Sequence, residues 1–160
     1  MVTKAEPERL GMDRLGRTFF GLVVPSLAEW PGVLALASRY FVCLVVTDGT
    51  SETTGEIASW ARRALRQGLV YACMWGEGSE VIHDVIDSEF TALPDHEARP
   101  VVMTTSHTAE ALEEAADFFM VSALPVAGYR HECTSWLVAE VGQSGTLSGA
   151  RELISGRLKG

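Results

Sequence analysis

A chain of 160 residues is long enough for one domain with a single apolar core, and too short for two of ordinary size. Its composition, 47% hydrophobic and 21% charged, is that of a globular protein, and no apolar run approaches the roughly 18 residues a membrane span needs. With 21 acidic against 13 basic residues the formal charge is -8. No lysine-arginine stripe compensates locally, which argues against a nucleic-acid groove.

The N-terminal MVTKAEPERLGMDRLGR mixes charges of both signs and has no apolar h-region, so a cytoplasmic protein is expected. Residues 1–16 show no period and are expected as an extended lead-in. Thr18 to Val24, TFFGLVV, is apolar with β-branched and aromatic residues and is closed by Pro25, which reads as a first strand. A short helix is expected from Pro31 to Arg39, because proline is tolerated as the first helical residue. The continuous apolar run Phe41 to Thr47 reads as a strand covered on both faces. From Glu52 to Gln67 the apolar positions Ile57, Trp60, Ala61, Ala64 and Leu65 recur at three and four, with Gly68 as the stop, so a helix is expected. Arg62, Arg63 and Arg66 form a basic patch on its outer face.

Leu69 to Trp75 is the third strand, and Glu80 to Phe90 a helix burying Val81, Ile82, Val85 and Ile86, with His83, Asp84 and Asp87 on the other side. TALPDHEARP reads as a surface loop. A fourth strand opens at Val101 to Met103, and the polar Thr104-Thr105-Ser106-His107 junction leads into a helix over Thr108 to Ala123. Ser135 to Val141 is the fifth strand, and residues 143–160 are a glycine- and serine-rich tail with a weak helical pattern. Alternating strands and helices joined by short loops imply a single α/β domain over residues 17–142, built on a mostly parallel, doubly wound sheet of about five strands, Rossmann-like or flavodoxin-like. Strand order is not legible in this pattern.

In such a sheet the carboxyl ends of the strands and the amino ends of the helices face one crevice. Its expected ligand-binding residues are Asp48, Gly49, Thr50, Trp75, Gly76, Thr104, Thr105 and His107. Trp75 beside Gly76 offers a stacking wall or a core residue, with the glycine allowing close approach. His107 is a candidate general acid or base, and Asp48 and Asp84 are candidate orienting carboxylates. A histidine held at a helix start and an aspartate capping one are the structural alternatives. His83 and Asp87, four apart, share a helix face and read as an exposed polar surface in preference to a metal site. Cys43, Cys73 and Cys133 are odd in number, lack a CxxC spacing and are expected as buried free thiols. No GxGxxG, GxxxxGK[ST] or GxSxG motif is present, and the cofactor is left unassigned.

Tyr71-Ala-Cys-Met-Trp75-Gly76 followed by Ile82-His83-Asp84-Val-Ile-Asp87, and Val102-Met-Thr-Thr-Ser-His107 followed by Glu110-Ala-Leu-Glu-Glu-Ala-Ala-Asp-Phe-Phe, resemble an uncharacterised bacterial family of single-domain proteins. That family has an alanine-tryptophan-glycine strand end, a helix with paired aspartates, and a methionine-threonine-threonine-tryptophan-histidine strand end. Met74, His83 and Ser106 depart from the pattern. The resemblance covers about residues 40–142 and implies no activity. A module binding a small ligand or a partner at the crevice is the first expectation. A hydrolase acting on a phosphate-bearing or nucleotide-like molecule, or an interaction subunit without a ligand site, are the alternatives. A small anionic ligand, a protein partner or a homodimer is compatible with the sequence; nucleic acid, a membrane and a metal are not expected.

Overall fold

A computed structural model describes residues 5–49, 52–142 and 149–160. Within them one sheet contains β1 (Glu8–Met12), β2 (Thr18–Val24), β3 (Tyr40–Asp48), β4 (Leu69–Glu77), β5 (Met103–Ser106) and β6 (Cys133–Val141). Their spatial order is β1-β2-β6-β3-β4-β5. All neighbours run parallel except β1, which is antiparallel to β2.

The doubly apolar character of β3 is explained by what covers it. Phe41, Cys43 and Val45 point into a layer built from α1 (Thr54–Arg66) and α2 (Ser79–Thr91), where Ile57, Trp60, Ile82 and Ile86 are buried. Val42, Leu44 and Val46 point the other way, into a layer with Ala116 of α3 (Leu112–Asp117), Phe119 of the π-helical turn Phe118–Ser122, Tyr129 of α4 (Ala127–Arg130) and Ile154 of α5 (Gly149–Lys159). Each fully buried aliphatic or aromatic side chain contributes about 1.5–3 kcal/mol, so a strand that is apolar on both faces is stable only between two such layers. Helix α1 starts on a complete capping box. The Thr53 hydroxyl accepts from the Glu56 N–H at 3.1 Å and the Glu56 carboxylate accepts from the Thr53 N–H at 3.0 Å, which holds the Glu56 carboxyl below its usual range.

Several expectations are corrected. No helix spans Pro31 to Arg39; a 3-10 turn at Leu27–Glu29 is followed by irregular chain. Side chains on other elements satisfy that chain in place of helical hydrogen bonds. Gln67 accepts from the Trp30 indole and donates to the Pro31 carbonyl, each at 2.9 Å, and the Ser135 hydroxyl accepts from the N–H groups of Ala37 and Ser38. The lead-in contributes the edge strand β1. The strand expected to open at Val101 starts at Met103 and continues through the polar Thr104 to Ser106, because Val102 packs instead with Leu65 and Phe90. As an edge strand, β5 is not buried on both faces. Val81, expected inside, is 49% exposed. No helix among the described residues is long and apolar enough to cross a membrane.

Strand β6 carries one buried carboxylate. Glu140, 2% exposed, accepts from the Arg151 backbone N–H at 3.1 Å and from its Nε at 2.8 Å. The arginine stem lies over Gly21, where a Cβ would come within 2.8 Å of Arg151 Cδ. This pair fastens α5 to the middle of the sheet. Arg151→Ala strands the carboxylate and is expected to cost about 3 kcal/mol or more in urea unfolding. Arg62→Ala, which removes only a contact of an exposed arginine with Glu89, is expected to cost less than about 1 kcal/mol in the same measurement.

Candidate functional site

The parallel ladders deliver the three polar strand ends to one edge of the sheet. Asp48 pairs with Glu77 across β3 and β4, and Met74 pairs with Ser106 across β4 and β5. From β3 the chain steps outward to β4 and β5, then returns as β6 on the other side of β3. The direction of winding therefore reverses between β3 and β6, which makes that gap the topological switch point. The Asp48 carboxylate folds over Gly142 just past the end of β6. A Cβ there would lie 2.3 Å from Asp48 Oδ1, and φ is 140°, so only glycine leaves the space and adopts the backbone. Glu77 lies similarly over Gly49, where a Cβ would be 3.2 Å from its carboxylate. The centre of the rim is thus lined by two carboxylates backed by glycine. Thr50 lies outside the described residues.

Gly76 has a different reason from the one expected. At φ 106° a Cβ would stand 1.9 Å from the Thr47 carbonyl oxygen, so the neighbouring strand, and no ligand, requires the glycine. The Trp75 indole N–H donates to the Glu110 carbonyl at 2.8 Å, and its ring packs partly against the second core layer. It ties β4 to the turn before α3 and does not stand open as a stacking wall.

At the sheet edge, successive threonines of β5 serve opposite faces. The Thr104 hydroxyl donates to Asp87 Oδ1 at 2.7 Å and lies 3.1 Å from His83 Nε2. His83 Nδ1 is 3.0 Å from Asp84 Oδ1 and 3.8 Å from Asp87 Oδ2. Because the threonine hydrogen goes to Asp87, its oxygen accepts from Nε2–H, and Nδ1 is left facing carboxylates. A transfer from the Thr104 hydroxyl to His83 requires that hydrogen to leave Asp87 first. On the other face, the Thr105 hydroxyl is 2.9 Å from His107 Nε2, and His107 Nδ1 is 2.9 Å from Glu110 Oε2. The His107 ring is 5% exposed and tilted against Phe118 at 4.7 Å, while its backbone N–H extends the ladder to the Met74 carbonyl.

The candidate trio is therefore distributed. His107 pairs with Glu110, Asp84 with His83, and Asp48 stands at the switch point. Asp84, with its side chain 81% exposed, orients the histidine next to it. His83 and Asp87 do not form a bare polar surface; together they grip Thr104. The orienting acceptor of His107 was not identified in sequence, although the three-residue spacing to Glu110 carries that signal. The pairing of His83 with β5 has no local signal at all. Among the described residues, no group of three histidine, cysteine or carboxylate side chains is arranged to hold a metal ion.

Residues 24–155 match the family model described as Domain of unknown function (DUF7684). The chain belongs to this family. The DUF7684 match runs from the end of β2 into α5 and so includes both threonine clusters and the switch point. No curated protein matches the chain.

The three thiols of this DUF7684 domain are free and buried. Burial pushes Cys73 up to about 12, against an opposing hydrogen bond from Thr105, and pushes Cys133 up to about 12 as well. Burial also raises Cys43 well above its ordinary value. In the native protein a thiol-specific disulfide reagent at about pH 8 is expected to label none of them, and all three after unfolding. An unfolded thiol ionises near 9.0 while the folded one keeps its proton to about 12, so the native state binds more protons in that window. Stability is accordingly expected to fall as pH rises through it, measured by urea unfolding at a series of alkaline pH values.

Proposed function

We propose that this DUF7684 domain is a binding module that takes a small polar ligand at the carboxyl end of its sheet. The observation that carries it is the coincidence of the switch point between β3 and β6 with the Asp48 carboxylate folded over Gly142. Parallel strands covered by helices on both faces support a Rossmann-like or flavodoxin-like class, in which ligands bind at such a gap. The carboxylates of Asp48 and Glu77 favour a hydroxyl- or amine-bearing ligand over the anion expected from sequence, since an anion there meets like charge. Buried unpaired thiols support a cytoplasmic setting. Self-association, or docking of a protein partner, is read from mass in solution.

Thermal unfolding with a panel of nucleosides, polyols and small amines tests the binding module. A ligand at 100 times its Kd stabilises the native state by about 2.7 kcal/mol and raises Tm. Asp48→Ala and Glu77→Gln are each expected to remove that rise. A panel without effect, or a rise that survives both substitutions, overturns the assignment.

A second reading, a hydrolase, is favoured by one specific contact set, the partly exposed His83 ring held between Thr104 and Asp84. It shifts the candidate acid or base from His107, whose ring is buried, to His83, whose ring is partly exposed. If activated phosphate or carboxylate esters are turned over, His83→Ala is expected to lower the rate by about 10²–10⁴-fold. Turnover that is unchanged in His83→Ala removes this reading.

A further inference from the structure

Arg39, Arg66 and Arg99 are far apart in sequence but meet at the end of the sheet opposite the carboxylate rim. Arg39 immediately precedes β3, Arg66 closes α1 just before β4, and Arg99 precedes Pro100 on the approach to β5. Because β3, β4 and β5 are adjacent and parallel, their leading segments gather at one place. There the three arginines line a cavity of about 410 Å³ with Tyr40, Tyr129 and a single carboxylate, Asp95.

Three guanidinium groups around one cavity repel one another, and the protein does little to neutralise them. Arg39 has Glu132 at 3.5 Å, a contact between exposed groups, and its guanidinium lies 4.9 Å from the Tyr40 ring centre. Arg99 donates through Nε to the Tyr129 hydroxyl at 3.2 Å and covers the Phe90 ring at 5.6 Å, so it is held in place by neutral groups. Tyr129 is itself fixed, donating to the Pro100 carbonyl at 2.6 Å. The Arg66 side chain has no hydrogen bond or ion pair among the described residues. The carbonyl end of α1 also faces this region, but the Gln67 and Gly68 N–H groups cap its last turn. Arg39 and Arg99 are positioned by aromatic groups more than they are paired.

We propose that this cavity binds a small phosphomonoester, its phosphate held among Arg39, Arg66 and Arg99 and its organic part lying against Tyr40. A carboxylate is saturated by one bidentate arginine, whereas a tetrahedral dianion presents oxygens to guanidinium groups arriving from three directions. Tyr40, half-buried and backed by the buried Tyr129 ring at 4.8 Å and 65°, supplies a rigid aromatic wall beside the charge. This site is independent of the rim at the carboxyl ends of the strands.

Isothermal titration of the full chain with phenyl phosphate, inorganic phosphate and benzoate tests the assignment. Phenyl phosphate is expected to bind most tightly and to weaken as salt is added. Arg66→Gln and Arg39→Gln are each expected to weaken it by about tenfold, and the double substitution to abolish it. Arg62→Gln, on the same helix but paired with Glu89, and Asp48→Ala, at the other end of the sheet, are expected to bind as the unmodified chain does. No heat with phenyl phosphate, binding that persists in the double variant, or benzoate binding as tightly as phenyl phosphate overturns the proposal.

Discussion

Strand β6 is the element on which the rest of the structure depends. It comes late in the chain yet lies between β2 and β3, hydrogen-bonded in parallel to both. The two halves of the sheet meet only through it among the described residues. Its pairing joins residues 18–24 to residues 135–141, so a long loop must close before any ladder bond repays the lost chain entropy. The strand's buried polar side chains point to opposite layers, and each organises a cover. Ser135 satisfies the irregular chain around Ala37 and Ser38, while Glu140 anchors α5 through Arg151.

The insertion also gives the sheet chemically distinct ends. At the carboxyl end, Asp48 and Glu77 stand on adjacent strands with glycine beneath them. At the amino end, the residues leading into three neighbouring strands are arginines. An acidic chain with net charge -8 thus concentrates three of its 13 basic residues around one cavity. Parallel strand direction makes this separation possible, since every strand presents the same end to the same side.

The edge strand shows how a polar sequence is held in a sheet. Among the described residues β5 pairs only with β4, and its successive threonines face different layers. Each finds a histidine, His83 for Thr104 and His107 for Thr105, and each histidine has a carboxylate on its far nitrogen. Hydrogen bonding of this completeness compensates for the apolar burial that an edge cannot supply. His107 belongs to the buried side of this arrangement and His83 to the accessible side.

Local pattern was sufficient for much of the fold. The strand at Thr18–Val24, the core of β3, helix α1 with its stop at Gly68, and β4 were legible because two-sided burial and helical spacing are written in consecutive residues. Membership of an uncharacterised family was legible too, from the strand-end motifs around Trp75 and His107. Tertiary structure alone decided the position of β6, the irregular path from Pro31 to Arg39, the packing of Val102 with Leu65 and Phe90, the joining of His83 to Thr104 and the meeting of Arg39, Arg66 and Arg99. In each of these a residue's partner lies tens of residues away. A sequence specifies how many faces of a segment must be buried, but the neighbour that buries them is chosen only when the whole chain closes.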